Sequence, residues 1–242
     1  MYLIDFPQRM NARRVGQRKL VALCAAACLA CSVPAYATGT TTTIDLVGGR
    51  KVESVTILNP ASKVVVVFEN GSRVTLDKWD KVLDAVSPHA SVFAYNRPGY
   101  ANSGATDTPR DGATIAEQLR QVLKQKGLAP PYVLVGHSMG GLYMQLFARR
   151  YPEEVAGIVL LDSLMPRMVK KPEEFPLTTR IAKQLFLSSA MAAEIGKIYE
   201  TGEAVVALPG IDHIPMIKLI NVPKSATAVP LDLGVFDRDP AT

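Results

Sequence analysis

At residues 132–141 the chain reads Tyr132-Val133-Leu134-Val135-Gly136-His137-Ser138-Met139-Gly140-Gly141. A short apolar run is followed by Gly-x-Ser-x-Gly and then by the start of a helical pattern. This combination predicts a nucleophile elbow, in which a strand turns sharply into a helix and exposes the hydroxyl of Ser138. The flanking Gly136 and Gly140 fit that geometry, because a Cβ at either position would collide with the neighbouring strand or helix.

Ser138 is the candidate nucleophile. A serine hydroxyl reacts only when a base takes its proton and the backbone exposes its oxygen. The helix that follows contributes the positive end of its dipole, and the amide of Met139 points to the place where an oxyanion would form. His137 should point away from Ser138 in such a turn, so we interpret it as a pocket or supporting residue and not as the base.

The strand, Gly-x-Ser-x-Gly and helix together resemble the α/β-hydrolase family. Residues 96–103 are similar to the family's Asp-Arg-Pro-Gly-x-Gly-x-Ser turn, with Asn96 in place of the acid and Ala101 in place of a glycine. Residues 151–155, Tyr-Pro-Glu-Glu-Val, resemble the stretch that follows the elbow helix. The resemblance covers residues 42–165 and implies a serine hydrolase.

Strand and helix patterns alternate along this part of the chain. A hairpin with a Gly48-Gly49 turn is predicted over residues 44–58, and strands over residues 64–68, 91–95 and 155–162. A helical pattern begins near Trp79, and Thr114 with Glu117 forms a capping box for a helix that ends at Gly127. The alternation predicts an α/β fold with a doubly wound, mostly parallel sheet, and the resemblance implies a three-layer sandwich.

Residues 166–207 interrupt this alternation. The sequence from Leu177 to Tyr199 is helical and rich in Met, Leu and Ala. We interpret residues 166–207, named the 166–207 insertion below, as a helical cap over the active site, since pockets in open α/β sheets form above the carboxyl ends of the strands. The alternative is a helix packed on a face of the sheet.

Glu69-Asn70-Gly71 follows the predicted strand next to the elbow strand. In the family a backbone amide from this loop is the second oxyanion donor, and a Glu-x-Gly form with a downstream Trp, here Trp79, resembles a recurring subgroup. The resemblance therefore implies Gly71 or Ser72 as the donor. An ordinary turn is the alternative.

The acid and the base are less evident. Residues 229–240 resemble the family's seventh strand and acid loop, which implies Asp239 as the acid. The family's histidine would then follow one further helix and strand, and only three residues remain after Asp239, so we expect a C-terminally truncated fold. The alternative is His213 as the base with Asp162 as an earlier acid, although a strand pattern begins at Met216 directly after it. His89 precedes a strand and is expected in a solvated loop at the opposite end of the sheet.

The first 37 residues form a separate segment. Five basic residues precede the apolar run 20–33, and Ala35-Tyr36-Ala37 offers a cleavage site before Thr38. This pattern predicts a secretory signal peptide, whether translation starts at Met1 or Met10, and export to the periplasm or medium. All three cysteines lie in this segment, so the remaining domain, residues 38–242, should contain no disulfide. The net charge of that domain is +1, which removes the support for nucleic-acid binding.

We therefore expect an exported carboxylic ester hydrolase that acts on a small-molecule ester without a metal or other cofactor. No stable membrane span should remain after signal removal, and the oligomeric state is open. An inactive hydrolase fragment that binds small apolar ligands is one alternative, and an amide or peptide hydrolase is another. Epoxide hydrolases and dehalogenases of the family use an aspartate nucleophile, so Ser138 argues against both.

Overall fold

Residues 42–221 are described in the computed structural model, except for the side chains of residues 183 and 184. Seven strands in this range form one sheet in the order β1-β2-β4-β3-β5-β6-β7. They are β1 (Thr42–Val47), β2 (Arg50–Ile57), β3 (Val65–Glu69), β4 (Ser91–Tyr95), β5 (Tyr132–His137), β6 (Val155–Leu161) and β7 (Met216–Leu219). The β1–β2 and β2–β4 pairs are antiparallel and the other four pairs are parallel, which confirms the mostly parallel sheet.

Six α-helices accompany these strands in the described range. They are α1 (Asp80–Val86), α2 (Gly112–Gln125), α3 (Met139–Arg150), α4 (Leu177–Phe186), α5 (Ser189–Gly196) and α6 (Ile198–Ala207). Short 3-10 turns occur at Leu76–Trp79, Pro152–Glu154 and Pro172–Glu174. None of these helices is both long enough and apolar enough to cross a bilayer.

The core lies on both faces of the sheet. In β3 the alternate residues Val65 and Val67 face one cluster, which includes residues of α2 and α3, while Val66 and Phe68 face another, which includes Trp79 and α1. A strand covered on both faces needs a continuous apolar sequence, and residues 64–68 provide one. The predicted doubly wound sheet between helical layers is confirmed.

Two glycines make the first hairpin tight. Gly48 and Gly49 have φ values of +55° and +78°, the left-handed conformation that a two-residue turn between antiparallel strands requires. Val47 pairs with Arg50 across this turn. The hairpin predicted from the Gly48-Gly49 pair is therefore confirmed.

The start of α2 differs from the prediction. Thr114 and Glu117 predict a capping box at the start of this helix, but α2 begins earlier, at Gly112. Asp111 is its N-cap, and the Asp111 side chain accepts from the backbone N–H of Thr114. Asp111 therefore caps the helix three residues earlier than Thr114 would, and Thr114 Oγ1 donates a further hydrogen bond to the same carboxylate.

The 166–207 insertion forms three helices instead of one continuous segment. Helix α6 packs against the elbow helix α3, where Ile198 and Val205 join Leu142 and Leu146 in one buried cluster. Helix α4 leaves Leu185 and Phe186 exposed. Helix α6 therefore packs on a helix and not on a face of the sheet, and the cap over the active site stays a prediction.

The seventh strand lies earlier than the resemblance implied. Met216–Leu219 pairs in parallel with residues 158–161 of β6, whereas the resemblance implied that the seventh strand lies within residues 229–240. Its pairing with β6 makes this segment a strand, as the pattern that begins at Met216 predicts. Residues 229–240, with Asp239, lie outside the described residues, as does the predicted signal peptide over residues 1–37.

Candidate active site

Ser138 lies between β5 and α3 in a strained conformation. Its φ is +52° and its ψ is −122°, which a residue with a Cβ adopts only when its surroundings impose it. The N–H of Ser138 donates to the carbonyl oxygen of Leu161 at 3.0 Å, and the N–H groups of Gly141 and Leu164 donate to the Ser138 carbonyl, each at 3.0 Å. The turn is thus fixed to the end of β6 as well as to its own helix.

The glycines of the motif allow close backbone contacts. A Cβ on Gly136 would lie 2.5 Å from the Cα of Gly141. A Cβ on Gly140 would lie 2.5 Å from the carbonyl oxygens of both Glu69 and Asn70. The elbow helix therefore starts directly against the end of β3, as the Gly-x-Ser-x-Gly pattern predicts.

The loop after β3 touches the nucleophile turn. We name residues 69–72 the oxyanion loop. A Cβ on Gly71 would lie 2.8 Å from His137 Nδ1 and 3.1 Å from Ser138 Cβ. Met139, the other residue expected to contribute an amide, is the first residue of α3 and is buried. The structure thus brings together the three positions that the sequence analysis assigned to nucleophile and oxyanion donors.

Asn70 ties this loop to the core. Its Nδ2 donates to the carbonyl of Tyr95 at 2.9 Å, and its Oδ1 accepts from Trp79 Nε1 at 2.6 Å. The downstream tryptophan of the Glu-x-Gly pattern therefore has a physical function in this chain, which is to hold the side chain of Asn70. The ring of Trp79 also packs 5.0 Å from that of Phe68.

Arg97 lies buried beneath the oxyanion loop and uses all five of its N–H donors. Its Nη1 donates to Glu69 Oε1 at 2.5 Å and to the Asn70 carbonyl at 2.6 Å. Its Nη2 donates to the Gly71 carbonyl at 3.2 Å and to Glu194 Oε2 at 3.0 Å, and its Nε donates to Glu194 Oε1 at 3.1 Å. The family resemblance identified residues 96–103 only as a supporting turn, whereas Arg97 contacts the loop beside Ser138.

Glu194 is the second acid of this cluster and comes from α5 of the 166–207 insertion. Its side chain is 0% exposed, and besides Arg97 it accepts from Arg110 Nη2 and from Tyr100 Oη, the latter at 2.7 Å. Burial raises the pKa of Glu194, but the charges and hydrogen bonds of Arg97 and Arg110 outweigh burial and hold that pKa below its ordinary value. Glu194 is therefore ionised at neutral pH.

Glu69 is also fully buried, but here the effect of burial on its pKa exceeds that of the neighbouring positive charge. Burial raises the pKa of Glu69, and Arg97 opposes this only in part. Tyr95 Oη donates to Glu69 Oε2 at 2.5 Å, and burial together with the Glu69 charge raises the pKa of Tyr95 well above its ordinary value. Two arginines and two glutamates thus share one buried cluster below the oxyanion loop, which we name the Arg97 cluster (Glu69, Arg97, Arg110 and Glu194).

The candidate acid Asp162 and the candidate base His213 lie at opposite edges of the sheet. Asp162 follows β6 at the carboxyl edge of the sheet, where Ser138 also lies, and its Oδ1 accepts from the Asn221 N–H at 2.6 Å. β7 runs parallel to β6, so its first residue, Met216, lies at the amino edge, about 10 Å along the strand from Leu219 at the carboxyl edge. His213 precedes Met216, and the structure therefore places it at the amino edge of the sheet, opposite to Ser138.

His89 is exposed before β4, at the amino edge, as expected. His137, in contrast, is half-buried against Gly71 in the oxyanion loop. Asp239 lies outside the described range. Within residues 42–221, no three His, Cys, Asp or Glu side chains come together as a metal site.

Glu194 and Arg110 were not predicted as site residues from the sequence. One signal for Glu194 was available, since it is a single carboxylate in the otherwise small and apolar run Ser189–Gly196. A charge on a helix that is otherwise apolar is buried only with a partner. The partner could not be identified from the sequence, because 97 residues separate Glu194 from Arg97.

Comparison with known proteins agrees with this architecture. A family model described as the alpha/beta hydrolase fold matches residues 64–194, more than half of the chain. The uncharacterized protein YbdG of Bacillus subtilis is 28% identical over 143 residues, 54% of this chain and 44% of that protein. A non-heme chloroperoxidase of Streptomyces lividans is 32% identical over 123 residues, 49% of this chain and 44% of that protein. The chain spans less than half the length of these relatives.

Solved structures show the same fold at low identity. The DbeA-M1 loop variant of a haloalkane dehalogenase from Bradyrhizobium elkanii superposes with a TM-score of 0.61 at 13% identity, covering 75% of this chain and 80% of that one. The epoxide hydrolase CorEH gives a TM-score of 0.53 at 18% identity, covering 75% and 82%. Identities this low establish the arrangement of strands and helices and leave the chemistry to the site.

Proposed function

Because the chain belongs to the alpha/beta hydrolase fold family, we propose that it is a serine hydrolase that cleaves a carboxylic ester with Ser138 as nucleophile. One observation supports this most directly. Ser138 has a φ of +52° between a strand and a helix, and the Gly71 backbone lies against its side chain. A fold that merely needed a turn would not retain this strain.

The proposed reaction follows from that placement. Ser138 Oγ attacks the ester carbonyl carbon and passes its proton to a base, and the carbonyl oxygen takes up the negative charge. The amides of Met139 and of Gly71 or Ser72 donate to this oxygen. The alkoxide then leaves as an alcohol after protonation, and water hydrolyses the acyl-serine to release the acid. An amide or peptide bond would follow the same course on this scaffold.

For the acid we retain two candidates. Asp162 is supported by its position at the carboxyl edge beside β5 and β6. Asp239 is supported only by the family resemblance of residues 229–240. His213 has no part in the proposed reaction, because it lies at the other edge of the sheet.

A second candidate function is the binding of small apolar ligands without turnover. It is favoured by the positions of His89 and His213, which leave His137 as the one histidine of the described range at the carboxyl edge. His137 directly precedes Ser138 and contacts Gly71. The two candidates differ in whether Ser138 becomes acylated.

A fluorophosphonate probe tests the proposal, because it modifies a serine activated as a nucleophile. We expect labelling of the purified chain and hydrolysis of p-nitrophenyl esters, both abolished by Ser138→Ala and both retained by Ser189→Ala, which changes an exposed serine of α5. A folded chain that is not labelled and does not hydrolyse these esters would contradict the serine hydrolase proposal. Saturable binding of a short-chain ester by that same chain would support the second candidate.

We also propose that the protein is exported. The basic segment, the apolar run 20–33 and Ala35-Tyr36-Ala37 support this. N-terminal sequencing of the chain from the periplasmic fraction or medium of an expressing bacterium should then begin at Thr38. Recovery from the cytosol alone, with the first residues intact, would contradict export.

A further inference from the structure

The 166–207 insertion reaches the active-site region through one carboxylate. Glu194 is fully buried in α5, and its two oxygens accept from Arg97, Arg110 and Tyr100. These three partners lie in the segment between β4 and α2, so Glu194 joins the insertion to the catalytic side of the sheet. Near this contact, a Cβ on Gly99 would lie 2.5 Å from the Cβ of Ala190 in the same helix.

Arg97 connects this carboxylate to the oxyanion loop. Its guanidinium donates twice to Glu194 on one side and to the carbonyls of Asn70 and Gly71 on the other. A guanidinium is planar and rigid, so a bidentate carboxylate fixes the direction of its remaining donors. The orientation of Arg97 therefore depends on Glu194.

The two carbonyls that Arg97 holds determine where the neighbouring amides point. In a trans peptide unit the N–H points away from the C=O of the same unit. The Asn70 carbonyl shares its unit with the Gly71 N–H, and the Gly71 carbonyl shares its unit with the Ser72 N–H. Arg97 thus directs both candidate oxyanion amides away from the buried cluster.

We propose that Glu194 is a positioning residue of the active site. Through Arg97 it sets the orientation of the Gly71 and Ser72 amides, so docking of the insertion and assembly of the oxyanion hole are a single event. The catalytic meaning of this positioning rests on the proposed function, because only a reacting Ser138 makes use of an oxyanion hole. The structural coupling itself does not depend on that reaction.

The charges of the cluster show what removal of the Glu194 charge would do. Arg110 is buried, and its Nε and Nη1 have no hydrogen-bond partner within the described part of the chain. Among the described residues, loss of the Glu194 charge would leave Arg110 without a carboxylate partner and Arg97 with Glu69 alone. Arg97 would then turn from the loop carbonyls to share the remaining carboxylate, and the oxyanion loop would lose its anchor.

Glu194→Gln is the test variant, because it keeps the size of the side chain and removes its charge. Glu203→Gln is the matched control, since Glu203 lies on the next helix in an exposed ion pair with Arg167 at 3.0 Å. Amide hydrogen exchange is measured by mass spectrometry on peptides covering residues 69–73 and 188–196. Fluorophosphonate labelling is measured over a range of probe concentrations.

We expect Glu194→Gln to raise exchange in residues 69–73 as well as in α5, and Glu203→Gln to leave residues 69–73 unchanged. The maximal labelling rate should fall about 10- to 100-fold, as for a weakened oxyanion donor, while the half-saturating probe concentration stays the same. A purely structural contact of the insertion would change exchange in residues 188–196 alone.

Unchanged exchange in residues 69–73 of a folded Glu194→Gln protein would overturn the inference, whatever the labelling rate. If the wild-type chain is not labelled but exchange in residues 69–73 rises in the variant, the proposed function fails and the positioning inference stands. Tyr100→Phe removes one 2.7 Å hydrogen bond to Glu194 and serves as the milder variant if Glu194→Gln does not fold. It should give the same pattern with a smaller increase, and its failure to do so would equally count against the inference.

Discussion

Replacing Gly140 with alanine should push the elbow helix away from the oxyanion loop. The new Cβ would lie 2.5 Å from the carbonyl oxygens of Glu69 and Asn70, about 0.9 Å closer than the 3.4 Å at which ordinary contact begins. Neither oxygen can turn away easily. Glu69 belongs to β3, and the Asn70 carbonyl is held by Arg97 at 2.6 Å.

The magnitude follows from two opposing effects. Overpacking of this kind costs about 1–3 kcal/mol, and alanine in a helix recovers about 0.5–1 kcal/mol relative to glycine. We expect the free energy of unfolding to fall by up to about 2.5 kcal/mol, which for a domain of this size lowers Tm by up to about 10 °C. A shift of nearly 1 Å between Ser138 and the loop should slow fluorophosphonate labelling by about 100-fold.

The assay uses Trp79, the single tryptophan of the chain. Its indole donates to Asn70 in the oxyanion loop, so its emission reports both global unfolding and any displacement of that loop in the folded state. Gly157→Ala is the control, because its Cβ would meet only the Pro215 carbonyl oxygen at an ordinary 3.5 Å. If Gly140→Ala matched this control in Tm, native emission and labelling rate, the close approach of the α3 backbone to the oxyanion loop would not be what positions Ser138 relative to that loop.

Three further outcomes are expected. Asp111→Ala should lower the free energy of unfolding by about 1 kcal/mol through loss of the N-cap of α2, as measured by thermal unfolding beside the exposed Asp107→Ala, and equal Tm values would contradict the cap. Glu194→Gln should be less stable than the wild type at pH 7 and should lose this difference progressively as the pH falls below the ordinary glutamate pKa of about 4.3. Folding lowers the pKa of Glu194, so its carboxylate stabilises the fold above that pH and ceases to do so as it is protonated. Urea unfolding at pH 7 to 3 measures it, and a constant difference would refute the assignment. His213→Ala should leave fluorophosphonate labelling unchanged, and loss of labelling in a folded variant would return His213 to the reaction.

The strands and the elbow could be predicted because their determinants are local. The apolar run of β3, the Gly48-Gly49 turn and the Gly-x-Ser-x-Gly pattern each express a short-range requirement of burial or backbone conformation. The structure confirms these elements within one or two residues. The start of α2 was placed too late, because Asp111 and Thr114 are both good caps and only the three-dimensional structure chooses between them.

The polar part of the site could not be predicted in the same way. Arg97 was identified only through a family turn, and its partners Glu69 and Glu194 lie 28 and 97 residues away. Which charges meet in a buried cluster depends on how distant elements pack, and composition gives no measure of that. His213 illustrates the converse, since its order in the chain fitted a triad while the direction of β7 places it at the wrong edge.

The Arg97 cluster also constrains how this sequence can change over evolution. Its members are divided between the sheet loops and the insertion, so neither part can vary independently of the other. A relative that replaces the insertion must supply another carboxylate for Arg97 or give up Arg97 and Arg110 together. Substitutions at positions 97, 110 and 194 should therefore appear jointly among homologues, as a covarying set inherited as a unit.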